Sequence, residues 1–148
     1  MIVRPALGAD VETLAAIHAR SFEAPWSAGD LGALLVNPGA FGLIALVRAA
    51  AAGFILCRAA ADEAEVLTLA ILPSCRRIGL ATALLDAAAT RARQDGAGVL
   101  FLEVAADNLP ALALYRGRDF LRVGQRPAYY ARAGAAADAL VLRRDLNR

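Results

Sequence analysis

Lysine is absent from this chain: all 16 of its basic residues are arginine. Schiff-base chemistry on a lysine and the lysine of a P-loop are therefore excluded. Cysteine is scarce, with only Cys57 and Cys75, and the one histidine is His18. A disulfide framework needs more cysteines, and a zinc site needs clustered ligands, so no metal is expected. Both cysteines read as small buried hydrophobes. No run of about 18 uncharged apolar residues occurs, which excludes a membrane-spanning helix. The start, Met1-Ile2-Val3-Arg4-Pro5, has no apolar signal segment. Excess charge is missing too: 16 bases against 14 acids leave +2, too balanced for a nucleic-acid partner. The expectation is a cytoplasmic protein without membrane or nucleic-acid contacts.

Apolar residues are plentiful, at 59% of 148. That length suits one domain, 1–148, with a sizeable core. Alanine fills about a quarter of the chain. Residues 2–5 read as a strand. Asp10 is expected to cap a helix from Val11 to about Phe22, with Leu14, Ile17 and His18 on one face. His18 reads as a packed or capping histidine. Ser27 reads as the N-cap of a second helix ending near Asn37-Pro38-Gly39. Strand-like runs at 41–47, 53–58 and 65–72 suggest an antiparallel meander, with 49–52 and 135–137 as turns. A long helix from 79 to 95 ends at Gly96. Residues 99–104 read as a central strand covered on both faces. Asn108 caps a helix through Tyr115, with Pro110 in its first turn. Two strands, near 120–126 and 139–143, close the chain. The order is β, α, α, β, β, β, α, β, α, β, β, an α/β (α+β) arrangement. It predicts a mixed, mostly antiparallel seven-stranded sheet, helices on both faces, and a parallel pair joined through the long helix.

The informative segment runs from Leu69-Ala70-Ile71 through Arg76-Arg77-Ile78-Gly79-Leu80-Ala81-Thr82. A strand ends, a turn follows and a helix opens on Arg-x-x-Gly-x-Ala. Helix-start amides are unpaired and carry the positive end of the dipole, so they suit a phosphate or pyrophosphate. Gly79 and Ala81 permit close approach, and Arg76 and Arg77 add charge. Neither a Walker loop nor a dinucleotide fingerprint is present.

With this motif, the chain resembles the GNAT superfamily of acetyl-CoA-dependent N-acetyltransferases over residues 2–146. Within it the chain is similar to the bacterial ribosomal-protein-alanine N-acetyltransferases. That likeness rests on Pro25-Trp26-Ser27, Leu102-Glu103-Val104 followed by Asn108, Ala113-Leu114-Tyr115, and Tyr129-Tyr130. The chain departs from the pattern at Asp119, where glycine is usual, and at Ala131, where a proline often follows the tyrosines. Asp tolerates the left-handed conformation required at 119. The resemblance implies a splayed parallel strand pair that admits acetyl-CoA, with the backbone of Leu69, Ala70 and Ile71 pairing the pantetheine arm. It also implies that an amide there holds the oxyanion.

Glu103 stands out as a carboxylate in an apolar strand, either paired structurally or serving as general base. Tyr115 is a neutral donor able to protonate the leaving thiolate, or else a core tyrosine. Trp26, Tyr129 and Tyr130 are candidates for a peptide groove, and Asn108 for a cofactor contact beside its capping role. Three functions are consistent with these residues. The first is acetyl transfer by direct attack onto the α-amine of a protein, from the resemblance an alanine-first ribosomal protein. The second is transfer to a small amine such as an aminoglycoside or polyamine, or to a lysine. An acidic pocket would favour the small cations, but the acids look scattered outside Asp62, Glu63 and Glu65. The third is a CoA-binding module without catalysis.

Overall fold

The structure, a computed structural model, describes residues 1–130 and 137–147. Its elements are β1 (Ile2–Pro5), α1 (Val11–Ala19), α2 (Ala28–Leu35), β2 (Ala40–Val47), β3 (Ala50–Ala60) and β4 (Glu63–Ile71). There follow α3 (Leu80–Gln94), β5 (Val99–Ala105), α4 (Leu109–Arg116), β6 (Leu121–Tyr130) and β7 (Ala137–Asp145). The seven strands form one sheet in the order β1-β2-β3-β4-β5-β7-β6. All neighbours are antiparallel except β4 and β5, which are parallel and joined through α3.

β2 and β3 are buried on both faces, which explains their nearly continuous apolar runs. Ile44, Phe54 and Leu56 pack with Leu14 and Ile17 of α1 and Leu31 of α2. Their alternating neighbours Leu43, Ala45, Ile55 and Cys57 pack with α3 and α4. Each fully buried Leu or Phe contributes roughly 1.5–3 kcal/mol. In α3 the buried positions are Leu80, Leu84, Leu85, Ala88, Ala89 and Ala92. They form one helical stripe, and its alanines let the helix lie close to the sheet. Gly96, at φ +98, ends the helix in the left-handed region.

Five local expectations need correction. Residues 99–104 are not covered on both faces. Leu100, Leu102 and Val104 are buried, whereas Val99, Phe101 and Glu103 are only half-buried, the last two along an open cleft. Asp10 makes no cap bond to α1. Its carboxylate accepts from the Leu7 N–H at 2.8 Å and from both terminal nitrogens of Arg4 at 2.9 and 3.0 Å. Arg4, and after it the Leu7 N–H, hold that carboxyl down at about 2. α1 ends at Ala19 rather than near Phe22, where the Arg20 and Ser21 amides tighten onto the carbonyls three residues back, Ile17 and His18. Residues 50–52 belong to β3; the turn is only Arg48-Ala49, both left-handed at φ 51 and 66. Ala137 belongs to β7, while 131–136 lie outside the described residues, including most of the predicted turn at 135–137.

Three other expectations are met. The Ser27 hydroxyl accepts from the Asp30 N–H at 3.1 Å and caps α2. Asn108 Oδ1 accepts from the Ala111 N–H at 3.3 Å and caps α4. Asp119 is left-handed, at φ 70.

Candidate active site

A β-bulge prepares the site. Leu56 faces Thr68 and Cys57 faces Val66, so Leu67 is an extra residue in β4. Bulges bend a strand and interrupt its pairing. The parallel register between β4 and β5 accordingly covers only Glu63↔Val99, Ala64↔Leu100 and Glu65↔Phe101. Residues 66–71 keep β3 on one edge and leave the other edge open. A cleft of about 1190 Å³ lies between the diverging strands.

Glu103, Tyr115, Asn108, Leu69, Trp26 and Tyr129 all line this cleft, so the structure brings together residues from five elements or their flanks. Tyr115, half-buried on α4, packs edge-on against Phe120 with centroids 5.8 Å apart. Ala70 and Ile71 do not line the cleft. Their side chains are buried, at 2% and 9% exposure, which leaves them only backbone groups to offer. The Ile71 carbonyl is already engaged, accepting from Arg76 Nε at 3.2 Å. Arg76 is thus a brace of the loop as well as a charge beside it. Tyr130 stands opposite Ala137 in β6, and its side chain lies outside the described residues.

The loop after β4 lies beyond the cleft lining. Arg77 and Gly79 are left-handed, at φ 65 and 86, and the loop delivers the chain into α3. Among the described residues, the amides of Leu80, Ala81 and Thr82 donate to no protein acceptor. A Cβ at Gly79 would meet nothing within 4 Å. Arg77 and Ile78 are exposed beside it. Open amides, open space and positive charge fit the pyrophosphate of a nucleotide-bearing cosubstrate. The open β4 edge fits an amide-bearing arm that runs along it.

His18 is more tightly held than the sequence suggests. It is 2% exposed, stacked on Phe22 at 4.3 Å and on Trp26 at 5.0 Å. Nδ1 accepts from the Trp26 N–H at 3.1 Å, so the ring proton lies on Nε2 and is donated to Thr68 Oγ1 at 3.2 Å. Burial lowers its pKa. The ring therefore ties the chain after α1, including Trp26, to β4 at the cleft wall.

Sequence reading missed two electrostatic features. Glu23, Glu63, Glu65 and Glu103 all line the cleft, against Arg58 and Arg126. Glu23 and Glu103 look scattered along the chain, and the fold brings them to the same cleft as Glu63 and Glu65. Arg58 pairs Glu65 at 2.6 Å, and Arg126 pairs Glu103 at 3.1 Å. Cys57 is buried in the core, and burial pushes its thiol up. Cys75 does not line the cleft. Neither is placed to carry an acyl group.

A bulged strand splayed from its parallel neighbour, leading to an open helix start, is the architecture of the GNAT acetyltransferase class. Residues 11–120 match the acetyltransferase (GNAT) family model, and the chain belongs to that family. It is 45% identical over 83 residues to the N-alpha-acetyltransferase RimI of Mycobacterium tuberculosis, covering 56% of this chain and 49% of that protein. It is 33% identical over 91 residues to the [ribosomal protein bS18]-alanine N-acetyltransferase of Escherichia coli K12, covering 62% of each. The chain thus spans about half to three-fifths of the length of these relatives. The crystal structure of the ribosomal-protein-S18-alanine N-acetyltransferase from Escherichia coli superposes with a TM-score of 0.93 at 24% identity. That superposition covers 99% of this chain and 94% of the other, and it establishes the likeness of fold.

Proposed function

We propose that residues 1–148 act as one cytoplasmic acetyltransferase domain. It moves the acetyl group of acetyl-CoA to the N-terminal α-amine of a protein. The relatives' names make an alanine-first ribosomal protein the leading acceptor. The observation that carries this reading is the meeting of Glu103 and Tyr115 in a cleft bounded by the open edge of β4.

Acetyl-CoA would set its pyrophosphate on the amides of Leu80, Ala81 and Thr82, beside Arg76, Arg77, Ile78 and Gly79. Its arm would follow the backbone of Leu69 and Ala70, and Asn108 would contact it from the start of α4. The acceptor nitrogen attacks the thioester carbonyl. Glu103 takes the proton the nitrogen sheds, directly or through water, and a β4 amide steadies the oxyanion. The C–S bond then breaks, and Tyr115 gives its proton to the departing thiolate. Trp26, Tyr129 and Tyr130 would line the acceptor's path. Attack is direct, in a ternary complex, because neither cysteine stands at the cleft. The presence of both Glu103 and Tyr115 argues against a binding module without catalysis.

The four glutamates of the cleft favour a cationic acceptor, which keeps a small polyamine as the second reading. A peptide ammonium meets the same demand. Thiol release with acetyl-CoA tests the proposal: CoA should appear only when an alanine-first peptide is present. Release without any acceptor, or with a polyamine and not the peptide, overturns it.

A further inference from the structure

Glu103 shares the half-buried face of β5 with Val99 and Phe101, and its side chain is 29% exposed. A carboxylate partly removed from water in such a setting needs a counter-charge. Arg126 supplies it from β6, reaching over β7 to Glu103 at 3.1 Å. Its guanidinium also lies over the Tyr129 ring, 5.2 Å from the centroid. The Arg126 side chain is 57% exposed, against 29% for Glu103. The pair therefore joins a sheltered anion to a cation that can leave for solvent.

We propose that Arg126 is a placeholder cation. It neutralises Glu103 before the acceptor arrives and gives way to the acceptor's ammonium, so Arg126 sets acceptor affinity rather than the chemical step. This rests on the reading that Glu103 receives the amine. The charges around the cleft agree with it: four glutamates face two arginines, and Arg58 is committed to Glu65. With Arg126 swung away, the incoming ammonium meets an uncompensated carboxylate. Partly exposed ion pairs shift an equilibrium by roughly two- to fivefold, so displacement is cheap and its removal is measurable.

The test is calorimetry of an alanine-first peptide, free of basic side chains, binding in the presence of CoA. Arg126→Gln should tighten peptide binding roughly two- to fivefold, with acetyl-CoA affinity unchanged. Arg126→Lys, which keeps the charge, should restore the wild-type value. In a Glu103→Gln background the effect of Arg126→Gln should vanish, because nothing remains to be released. Unchanged or weaker peptide binding by Arg126→Gln, while Glu103→Gln still slows turnover, overturns the placeholder and leaves the base assignment standing. Full turnover by Glu103→Gln, or a wild-type protein that does not bind the peptide, overturns the underlying reading and this proposal with it.

Discussion

The Trp26 backbone N–H donates to His18 Nδ1 at 3.1 Å, so the only histidine of the chain fixes a wall of the cleft by refusing a proton on that nitrogen. Burial lowers the His18 pKa below the ordinary 6.5. The unfolded chain therefore takes up the proton first. This contribution to stability is complete above about 6.5 and is lost as pH falls below it, at no more than about 1.4 kcal/mol per pH unit. Thermal melts between pH 8 and 5 should show this fall in the wild type. His18→Gln, less stable throughout, should show a flatter profile over the same window. Parallel profiles would mean that His18 does not titrate with unfolding.

Gly79 combines a φ of +86 with open space at its Cβ. Any other residue there is strained by about 1–2 kcal/mol, so Gly79→Ala should lower stability modestly by the backbone alone. Gly79→Trp should add a bulky side chain where the pyrophosphate is proposed to sit. Calorimetry should find acetyl-CoA binding weakened more than tenfold in a folded Gly79→Trp protein. Wild-type affinity in that variant would place the cosubstrate elsewhere.

Tyr115→Phe removes one hydroxyl and keeps the edge-on packing against Phe120. Stability should fall by no more than about 1.5 kcal/mol, the worth of one hydrogen bond, whereas the chemical step should slow by about 10²-fold, within the usual range for a general acid. The Michaelis constant for acetyl-CoA should barely move, because the loss belongs to the transition state. Single-turnover kinetics check this, and an undiminished rate removes Tyr115 from the mechanism.

Glu103→Gln should cost more turnover at pH 6 than at pH 9. A free α-amine has an ordinary pKa of about 7.7–8.0, so the neutral fraction grows with pH and the need for a base declines. The pH profile of kcat/KM for the peptide reads this directly. An equal loss across the range would mean that Glu103 only positions the acceptor.

Local chemistry made much of this legible in the sequence. Ser27 and Asn108 announce helix starts because their side chains can accept from the orphan amides, and Gly79 marks the start of α3. Asp119 could be read as left-handed because aspartate tolerates that conformation. The Arg48-Ala49 turn could not, because neither residue is the usual choice for positive φ. The extra residue at Leu67 left no trace either, since a bulge depends on register against β3 rather than on residue type. The Arg126–Glu103 pair and the placing of Glu63, Glu65 and Glu103 on one cleft are products of strand order, and Glu23 joins them from the segment after α1. Residues 126 and 103 meet only because β7 lies between β6 and β5.

The proposed function stands or falls on transfer of acetyl to a protein α-amine. The most direct measurement incubates the protein with acetyl-CoA and a panel of peptides differing in their first residues, each with one internal lysine, and locates the product by tandem mass spectrometry. Acetyl should appear on the α-amine of alanine-first peptides, with the lysine spared and the signal lost in Tyr115→Phe on the same timescale. Acetyl found only on lysine, or on no peptide while a polyamine is acetylated, would contradict the proposed function.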